Sequence, residues 1–249
     1  MTIRPYLTSS PTHRVLTELK RPVFPYGAAN GRKAQKRPAI LIGDRCSNFK
    51  RGWLMKLQDY AQNKPVLETD QLILRPLRKE DVSDLKEWLG DSSIYQYWGK
   101  RPGKSDLNPE LLFQKPEKPT KSFHWGIVHK QDYKVIGDMW VYLIENDRMA
   151  KVAFRLSPAY QGNRLMTEAL ARVAIFCFEE TELQRLWADV HICNIASFKT
   201  LEKAGFKCEG LIREGKMVNI YCDYYLYGMT KADYIEVMDK FQHHSRNSP

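Results

Sequence analysis

The polar loop SPAYQGNR, residues 157–164, follows a run that predicts a strand and precedes an apolar-periodic run that predicts a helix. Where a loop enters a helix, the first backbone N–H groups have no partner within the helix. Together with the positive end of the helix dipole they can bind a phosphate group. Gly162 lets a ligand approach the backbone because it has no Cβ. The loop alone predicts either a phosphate site or an ordinary turn.

Four blocks of the sequence carry a family resemblance. RLSPAYQGNRLMTEAL resembles the acetyl-CoA pyrophosphate loop of the GNAT superfamily, and NIASFKTLEKAGF resembles a later segment of the same family. LETDQLILRPLRKEDVSDL and YCDYYLYGMTKADY resemble the opening and closing elements of RimJ/RimL-type protein N-terminal acetyltransferases. The blocks occur in the family's order and cover most of residues 66–236. The resemblance implies transfer of an acetyl group from acetyl-CoA to a primary amine by direct attack.

The same resemblance implies a set of cofactor-binding residues. Backbone amides of the loop are expected to hold the pyrophosphate, and strand MAKVAFRL is expected to pair with the pantetheine arm. The residues expected at the cofactor are Phe154, Arg155, Leu156, Gln161, Gly162, Asn163, Arg164, Leu165, Met166, Thr167, Asn194 and Ser197.

Acetyl transfer needs a deprotonated amine, a donor for the developing oxyanion and a proton for the leaving thiolate. The expected oxyanion donor is a backbone N–H near Leu156. Many relatives supply the proton from a tyrosine where this chain has Leu201, so Ser197 becomes the expected source, directly or through water. The alternative for Ser197 is a hydroxyl that caps or bonds back to its own helix.

Two positions of the pyrophosphate loop depart from the family. Arg164 stands where the family often has glycine, and Met166 occupies the final Gly/Ala position. The Arg164 side chain can add a charge-assisted contact to phosphate. It also restricts the backbone if a positive φ is required there.

The general base is the third departure, because Lys151 stands where relatives commonly carry glutamate. Glu214 is the first side-chain alternative and Asp223 the second, and a chain of water molecules to solvent is an alternative of equal standing. Glu168 is interpreted as an acid in the first turn of a helix. Acids near strand ends and helix starts are also often solvated or paired.

Hydrophobic spacing predicts the elements that position these residues. The predicted strands are QLILRPL, HWGIVHK, KVIGDMWVYLIE, MAKVAFRL, RLWADVHI, FKCEGLIRE and YCDYYLYGMT. The predicted helices are RKEDVSDLKEWLG, MTEALARVAIFCFEE and IASFKTLEKAG. This order indicates a mixed α/β sheet. The resemblance makes it the GNAT fold, with a central, twisted, mostly antiparallel sheet and helices on both faces.

Basic and acidic residues are distributed unevenly along the chain. Residues 1–64 hold 13 basic and three acidic residues, which accounts for the whole net charge of +10. We expect a basic, weakly ordered extension at 1–64, with a short strand at 39–43 and a helix near 49–62. The catalytic domain is expected at 65–236 and a tail at 237–249. The extension is a candidate RNA or ribosome contact because basic clusters attract phosphate. An alternative function follows, in which the protein mainly binds RNA or ribosomes and its GNAT domain is weakly active. A solvated tail, a transit peptide or sequence upstream of a misassigned start are the alternatives.

The remaining composition narrows the function classes. The five cysteines form no CxxC, so no metal site is expected. No run of residues is apolar and long enough for a membrane span, and reduced cysteines favour the cytoplasm. The expected acceptor is a protein or peptide N-terminus, with a polyamine or antibiotic amine as the alternative. A monomer and a homodimer both remain open.

Overall fold

The computed structural model describes residues 54–61, 63–113 and 122–246. The predicted strand at 39–43 and most of the basic extension lie outside these residues. The strands are β1 (Leu67–Glu68), β2 (Leu72–Arg75), β3 (Phe123–His129), β4 (Lys134–Glu145), β5 (Met149–Leu156), β6 (Arg185–His191), β7 (Lys207–Met217) and β8 (Ile220–Thr230). The α-helices are α1 (Val82–Trp88), α2 (Lys104–Leu107), α3 (Leu165–Ile175), α4 (Ile195–Lys203) and α5 (Lys231–Arg246). Short 3-10 turns cover Leu57–Ala61, Lys79–Asp81, Ser92–Tyr95, Pro109–Phe113 and Pro158–Tyr160, and a π-helical turn, Phe176–Glu180, continues α3.

The eight strands form one sheet in the order β1-β2-β3-β4-β5-β6-β8-β7. Every neighbouring pair is antiparallel except β5 and β6, which are parallel. A parallel pair needs a crossover connection, which α3 supplies. The predicted mixed, mostly antiparallel sheet is confirmed.

Both faces of the sheet carry a hydrophobic core because successive strand residues point to opposite sides. Ile127 of β3 belongs to the larger cluster, which α3 covers, and we call that side the α3 face. Val128 belongs to the smaller cluster under α1, and we call that side the α1 face. Trp88 of α1 anchors the helix there, since its indole N–H donates to the Val135 carbonyl over 3.0 Å. Helices therefore lie on both faces, as predicted.

Residues on the N-terminal side of the expected boundary at 64/65 pack into the same core. Leu57 is fully buried, and the Tyr60 ring meets Phe176 edge-on at 5.2 Å. Met55 forms a parallel bridge to Thr181. The boundary stays a prediction, but the part of the extension that the structure describes contributes to the domain.

Helix α5 runs across the boundary expected at residue 236. Tyr234 attaches it to the sheet, since its ring is buried and stacks on Phe178 at 5.2 Å. Within the described ranges, no helix combines the length and apolar character needed to cross a bilayer.

Candidate active site

Strands β5 and β6 separate after only three residue pairs. Met149, Ala150 and Lys151 pair with residues 185–187, and beyond them the two strands have no pairing. The gap between residues 152–156 of β5 and residues 188–191 of β6 is called the fork below. Its closed end is the Lys151–Trp187 pair.

The backbone of β5 presents hydrogen-bonding groups to the fork. The Ser157 N–H donates to Ile136 of β4 over 2.7 Å, whereas the Arg148 carbonyl accepts from Arg185 on the β6 side. Because backbone groups alternate along a strand, odd-numbered residues of β5 bond to β4 and even-numbered residues face β6. The N–H groups of Phe154 and Leu156 consequently point into the fork, whereas the Val152 N–H faces the Trp187 carbonyl at its closed end.

The predicted loop lies at the open end of the fork. The side-chain amide of Gln161 donates to the Leu156 carbonyl over 3.1 Å, and the side-chain amide of Asn163 contacts the Tyr160 carbonyl at 3.5 Å. Gly162 has φ 83°, and nothing lies within 4 Å of where a Cβ would stand. The loop backbone is thus open to a ligand at this glycine.

Helix α3 begins at this loop with uncapped N–H groups. Its N-cap residue, Arg164, gives no side-chain cap. The first intrahelical bond runs from the Glu168 N–H to the Arg164 carbonyl, which leaves the amides of 165–167 free to bind an anion. Leu165 and Met166 are buried in the core, so they can offer only backbone groups. The predicted phosphate site therefore has the necessary donors.

Arg164 itself adopts the left-handed conformation, with φ 63° and ψ 4°. This conformation costs a non-glycine residue roughly 1–2 kcal/mol. We expect Arg164→Gly to raise stability by about 0.5–1 kcal/mol, because glycine relieves the strain but loses more chain entropy. Thermal unfolding measures this change. Arg164→Lys keeps both the charge and the strained backbone, so its stability should equal that of the wild type.

The Arg164 charge is separable from its strain. We expect Arg164→Gly to weaken acetyl-CoA binding about threefold to tenfold at low salt, and the loss to shrink at high salt because exposed charges are screened. Arg164→Lys should retain most of the affinity. Calorimetric titrations in which all three proteins bind equally at low salt would contradict a phosphate contact.

Asn194 and Ser197 meet at the start of α4, beyond the end of β6. The Asn194 side chain caps the helix by accepting from the Ser197 N–H over 3.1 Å. The Ser197 hydroxyl has no hydrogen bond to any residue that the structure describes, whereas Thr200 bonds back to the Ala196 carbonyl over 2.9 Å. The Ser197 hydroxyl is therefore available to a ligand.

Arg155 lies on the α1 face, away from the positions expected for the cofactor. Its guanidinium binds Asp138 at 2.6 Å and Asp106 at 2.8 Å and is 4% exposed. Four aromatic rings surround it, those of Trp88, Tyr95, Trp98 and Trp140. Its N–H points to β4. Unlike Phe154 and Leu156, Arg155 has no group directed at the fork.

Electrostatics explain why this cluster stays ionised. Burial by itself would raise the pKa of Asp138, but Arg155 and His124 outweigh burial and hold that pKa below its ordinary value. The same balance lowers the pKa of Asp106, through Arg155 and the Gly103 N–H. The cluster is thus a buried network of two carboxylates around one guanidinium.

The Lys151 side chain, at the closed end of the fork, also lies on the α1 face of the sheet. Its ammonium bonds to Asp189 of β6 over 2.6 Å. The ammonium lies 5.0 Å from the Trp187 ring centre and 5.6 Å from that of Tyr142. Burial raises the pKa of the Tyr142 hydroxyl, with Lys151 opposing. Asp189 was not among the predicted site residues, although alternation along β6 places it on the same face as Trp187.

Glu214 and Asp223 lie farther from the fork. Glu214 is exposed on β7, the edge strand, two strands from β6 and so on the order of 10 Å away. Its φ is 48°, and its N–H donates to the Asp223 carboxylate over 2.8 Å. Asp223 thus holds an irregularity of β7. Glu168 accepts from the Gln71 backbone and side chain, as a structural acid does.

Aromatic rings form the walls of the α1 face near the fork. Tyr97 stacks on His191 at 5.3 Å, and Trp140 stacks on His124 at 4.4 Å. Trp98 lies 5.8 Å from Trp140. Among the described residues, no three His, Cys, Asp or Glu side chains are grouped as metal ligands would be.

Residues 71–207, more than half of the chain, match the family model described as "Acetyltransferase (GNAT) domain". The chain belongs to the GNAT family. It is an acetyl-CoA-dependent N-acetyltransferase, and the fork and the loop before α3 are its candidate sites for the thioester and the pyrophosphate.

Curated relatives cover much of the domain. An uncharacterized N-acetyltransferase of Bacillus subtilis, YoaA, is 27% identical over 60% of this chain and 87% of its own length. The aminoglycoside N(6')-acetyltransferase type 1 of Klebsiella pneumoniae is 27% identical over 57% of this chain and 77% of its own.

Solved structures share the fold. Spermidine N-acetyltransferase from Vibrio cholerae, in complex with CoA and spermine, has a TM-score of 0.58 at 22% identity, over 67% of this chain and 99% of its own. The ribosomal-protein-S5-alanine acetyltransferase from Vibrio fischeri also has a TM-score of 0.58 at 22% identity, over 68% and 98%. Fold similarity alone therefore does not distinguish a polyamine acceptor from a protein acceptor.

Proposed function

We propose that this GNAT domain acetylates the N-terminal amine of a peptide or protein, as RimJ/RimL-type enzymes do. The observation that carries the proposal is the balance of charge on the α1 face. Lys151 pairs with Asp189, and Arg155 pairs with Asp138 and Asp106. Lys100 lies 3.6 Å from Asp106, so three cations meet three carboxylates.

A neutral acceptor face suits a substrate with one charge. A polyamine carries several positive charges and prefers a groove with an excess of acid. A peptide N-terminus carries a single ammonium group, and its side chains can pack against apolar walls. Tyr97, Trp98 and Trp140 supply such walls. The balanced charge and the aromatic walls of the α1 face therefore both favour a peptide N-terminus as the acceptor.

Small amines are the second candidate. The Vibrio cholerae neighbour was solved with spermine, and the Klebsiella pneumoniae relative acts on an aminoglycoside. On this alternative, exposed acidic groups such as Glu214 on β7 hold the additional charges.

An acceptor screen separates the two. Thiol release from acetyl-CoA is measured with a panel of peptides that differ in the first residue, and with spermine and kanamycin. We expect at least tenfold higher kcat/KM for the best peptide, and no activity when that peptide is N-terminally blocked. Turnover confined to spermine or kanamycin would reject the peptide acceptor and support the second candidate.

A further inference from the structure

Lys151 and Asp189 form an ion pair that is nearly removed from solvent. Their side chains are 8% and 16% exposed, and the Lys151 ammonium meets one carboxylate oxygen, Oδ2, at 2.6 Å. The other oxygen, Oδ1, has no hydrogen bond to any described residue. One side of the carboxylate is therefore fixed, and the other is available to a donor.

The position of the pair is as specific as its chemistry. Lys151 is the last residue of β5 that pairs with β6, opposite Trp187. Asp189 lies two residues beyond Trp187, which places it on the same face and just past the closed end of the fork. It is the only acidic residue within strands β5 and β6.

Stability alone does not account for this pair. A buried ion pair costs desolvation of both charges, and an apolar pair of similar size is often as stable. Fixing one carboxylate oxygen with Lys151 limits how Asp189 can turn, and directs Oδ1 to one place.

We propose that Asp189 accepts the proton from the acceptor's ammonium group, and that Lys151 is the positioning residue that holds Asp189 for this role. The N–H bond breaks and the proton moves to Oδ1. The freed lone pair forms the N–C bond to the thioester carbonyl, and the C–S bond then breaks. The thiolate takes the second proton that the nitrogen loses, and Asp189 returns its proton to solvent. Lys151 stays protonated throughout.

Other titratable groups surround Asp189 and share in any pH dependence. They are Lys151 on β5, Tyr142 on β4, Cys222 on β8, which is also near Asp223, and His191 on the same face of β6. Burial raises the pKa of the Cys222 thiol, and the two carboxylates add to the effect. Of these groups, only Lys151 touches the Asp189 carboxylate.

The test compares four variants with the full-length protein: Asp189→Asn, Lys151→Met, Lys151→Arg and the double variant Lys151→Met/Asp189→Asn. The probes are an alanine-initiated pentapeptide amide, spermine and kanamycin, with thiol release as the readout. If none of the three is acetylated, thiol release with water as acceptor is compared in the same variants. The inference rests on the family's reaction, so it does not depend on which amine is used.

We expect Asp189→Asn to lower kcat/KM about 10²–10⁴-fold, the range typical of a lost general base, with acetyl-CoA affinity within twofold of wild type. Lys151→Met should lower kcat at least tenfold with an unchanged KM for acetyl-CoA, and Lys151→Arg should restore most of it. Because Lys151 acts through Asp189, the double variant should be no slower than Asp189→Asn alone.

Glu209→Gln is the matched control. Glu209 pairs with Arg185 on the same half of the sheet, away from the fork, so this change should leave kcat/KM near wild type. The double variant removes both charges of the pair and so keeps the test valid if a single variant fails to fold. A folded Asp189→Asn or double variant within threefold of wild-type kcat/KM overturns the proposal, as do additive losses from Lys151→Met and Asp189→Asn.

Discussion

Replacing Arg155 with methionine should destabilise the protein by about 3–5 kcal/mol, because it leaves buried carboxylates without their cation. Asp138 is fully buried and Asp106 nearly so, and both bond to this guanidinium. In a protein of this size that loss corresponds to a fall in Tm on the order of 10 °C. Differential scanning calorimetry near pH 7.5 measures it.

The pH dependence of stability should also change sign. In the wild type the lowered pKa values of Asp138 and Asp106 contribute stability that is complete above about pH 4 and is lost as pH falls through those values. Without Arg155, burial dominates and raises both pKa values. The Arg155→Met variant should then be more stable at pH 5 than at pH 8, because stability is lost as pH rises through a raised pKa.

Arg75→Met provides the control for this prediction. Arg75 binds a single acid, Asp81, at 2.7 Å and is 15% exposed. Arg75→Met should lower the free energy of unfolding by less than Arg155→Met does. The direction in which its stability changes with pH should be that of the wild type. An Arg155→Met protein whose Tm falls no more than that of Arg75→Met would show that the network contributes little.

Replacing Phe154 with proline should weaken acetyl-CoA binding about tenfold to hundredfold while leaving the sheet intact. Its N–H points into the fork, so proline removes a donor for the pantetheine arm without breaking a bond to β4. A ligand carbonyl left without its donor costs about 1–3 kcal/mol, and each 1.4 kcal/mol is tenfold in affinity. Isothermal titration with acetyl-CoA measures the change.

Two neighbouring variants isolate the backbone effect. Phe154→Ala removes the ring but keeps the N–H, and should retain most of the affinity. Ala153→Pro removes an N–H that faces β4, and should lower the Tm because proline breaks a ladder bond. If Phe154→Pro binds acetyl-CoA as tightly as Phe154→Ala does, the pantetheine arm does not pair with this part of β5.

Local pattern was enough to predict most of the fold. The limits predicted for β4 and β5 are those observed, because alternation and turn residues bound them on both sides. Helix α5 was not predicted, since its sequence is polar over much of its length. Its stability comes instead from docking residues such as Tyr234. The contribution of Leu57 to the core was also missed, because it depends on contacts distant in sequence.

The candidate site divides in a similar way. The loop at Gln161–Arg164 is a local feature, so its position could be predicted from the sequence. Asn194 was expected at the cofactor, and its role as the cap of α4 was not predicted. The Lys151–Asp189 pair joins residues 38 positions apart, and only the register of β5 against β6 brings them together. Arg155 lies on the strand that was expected to bind the cofactor. Its side chain nevertheless lies on the α1 face and its backbone N–H points to β4, so strand membership alone did not predict its contacts.

The fork also means that the sheet consists of two leaves. Strands β1 to β5 form one leaf and β6, β8 and β7 form the other, and only three residue pairs join them. A pantetheine arm in the fork would complete the missing ladder, so that the amides of Phe154 and Leu156 exchange their protons slowly when the ligand is bound and rapidly when it is absent. Release of CoA would then reopen the sheet in every turnover, and the substrate would serve as a temporary strand of the enzyme that consumes it.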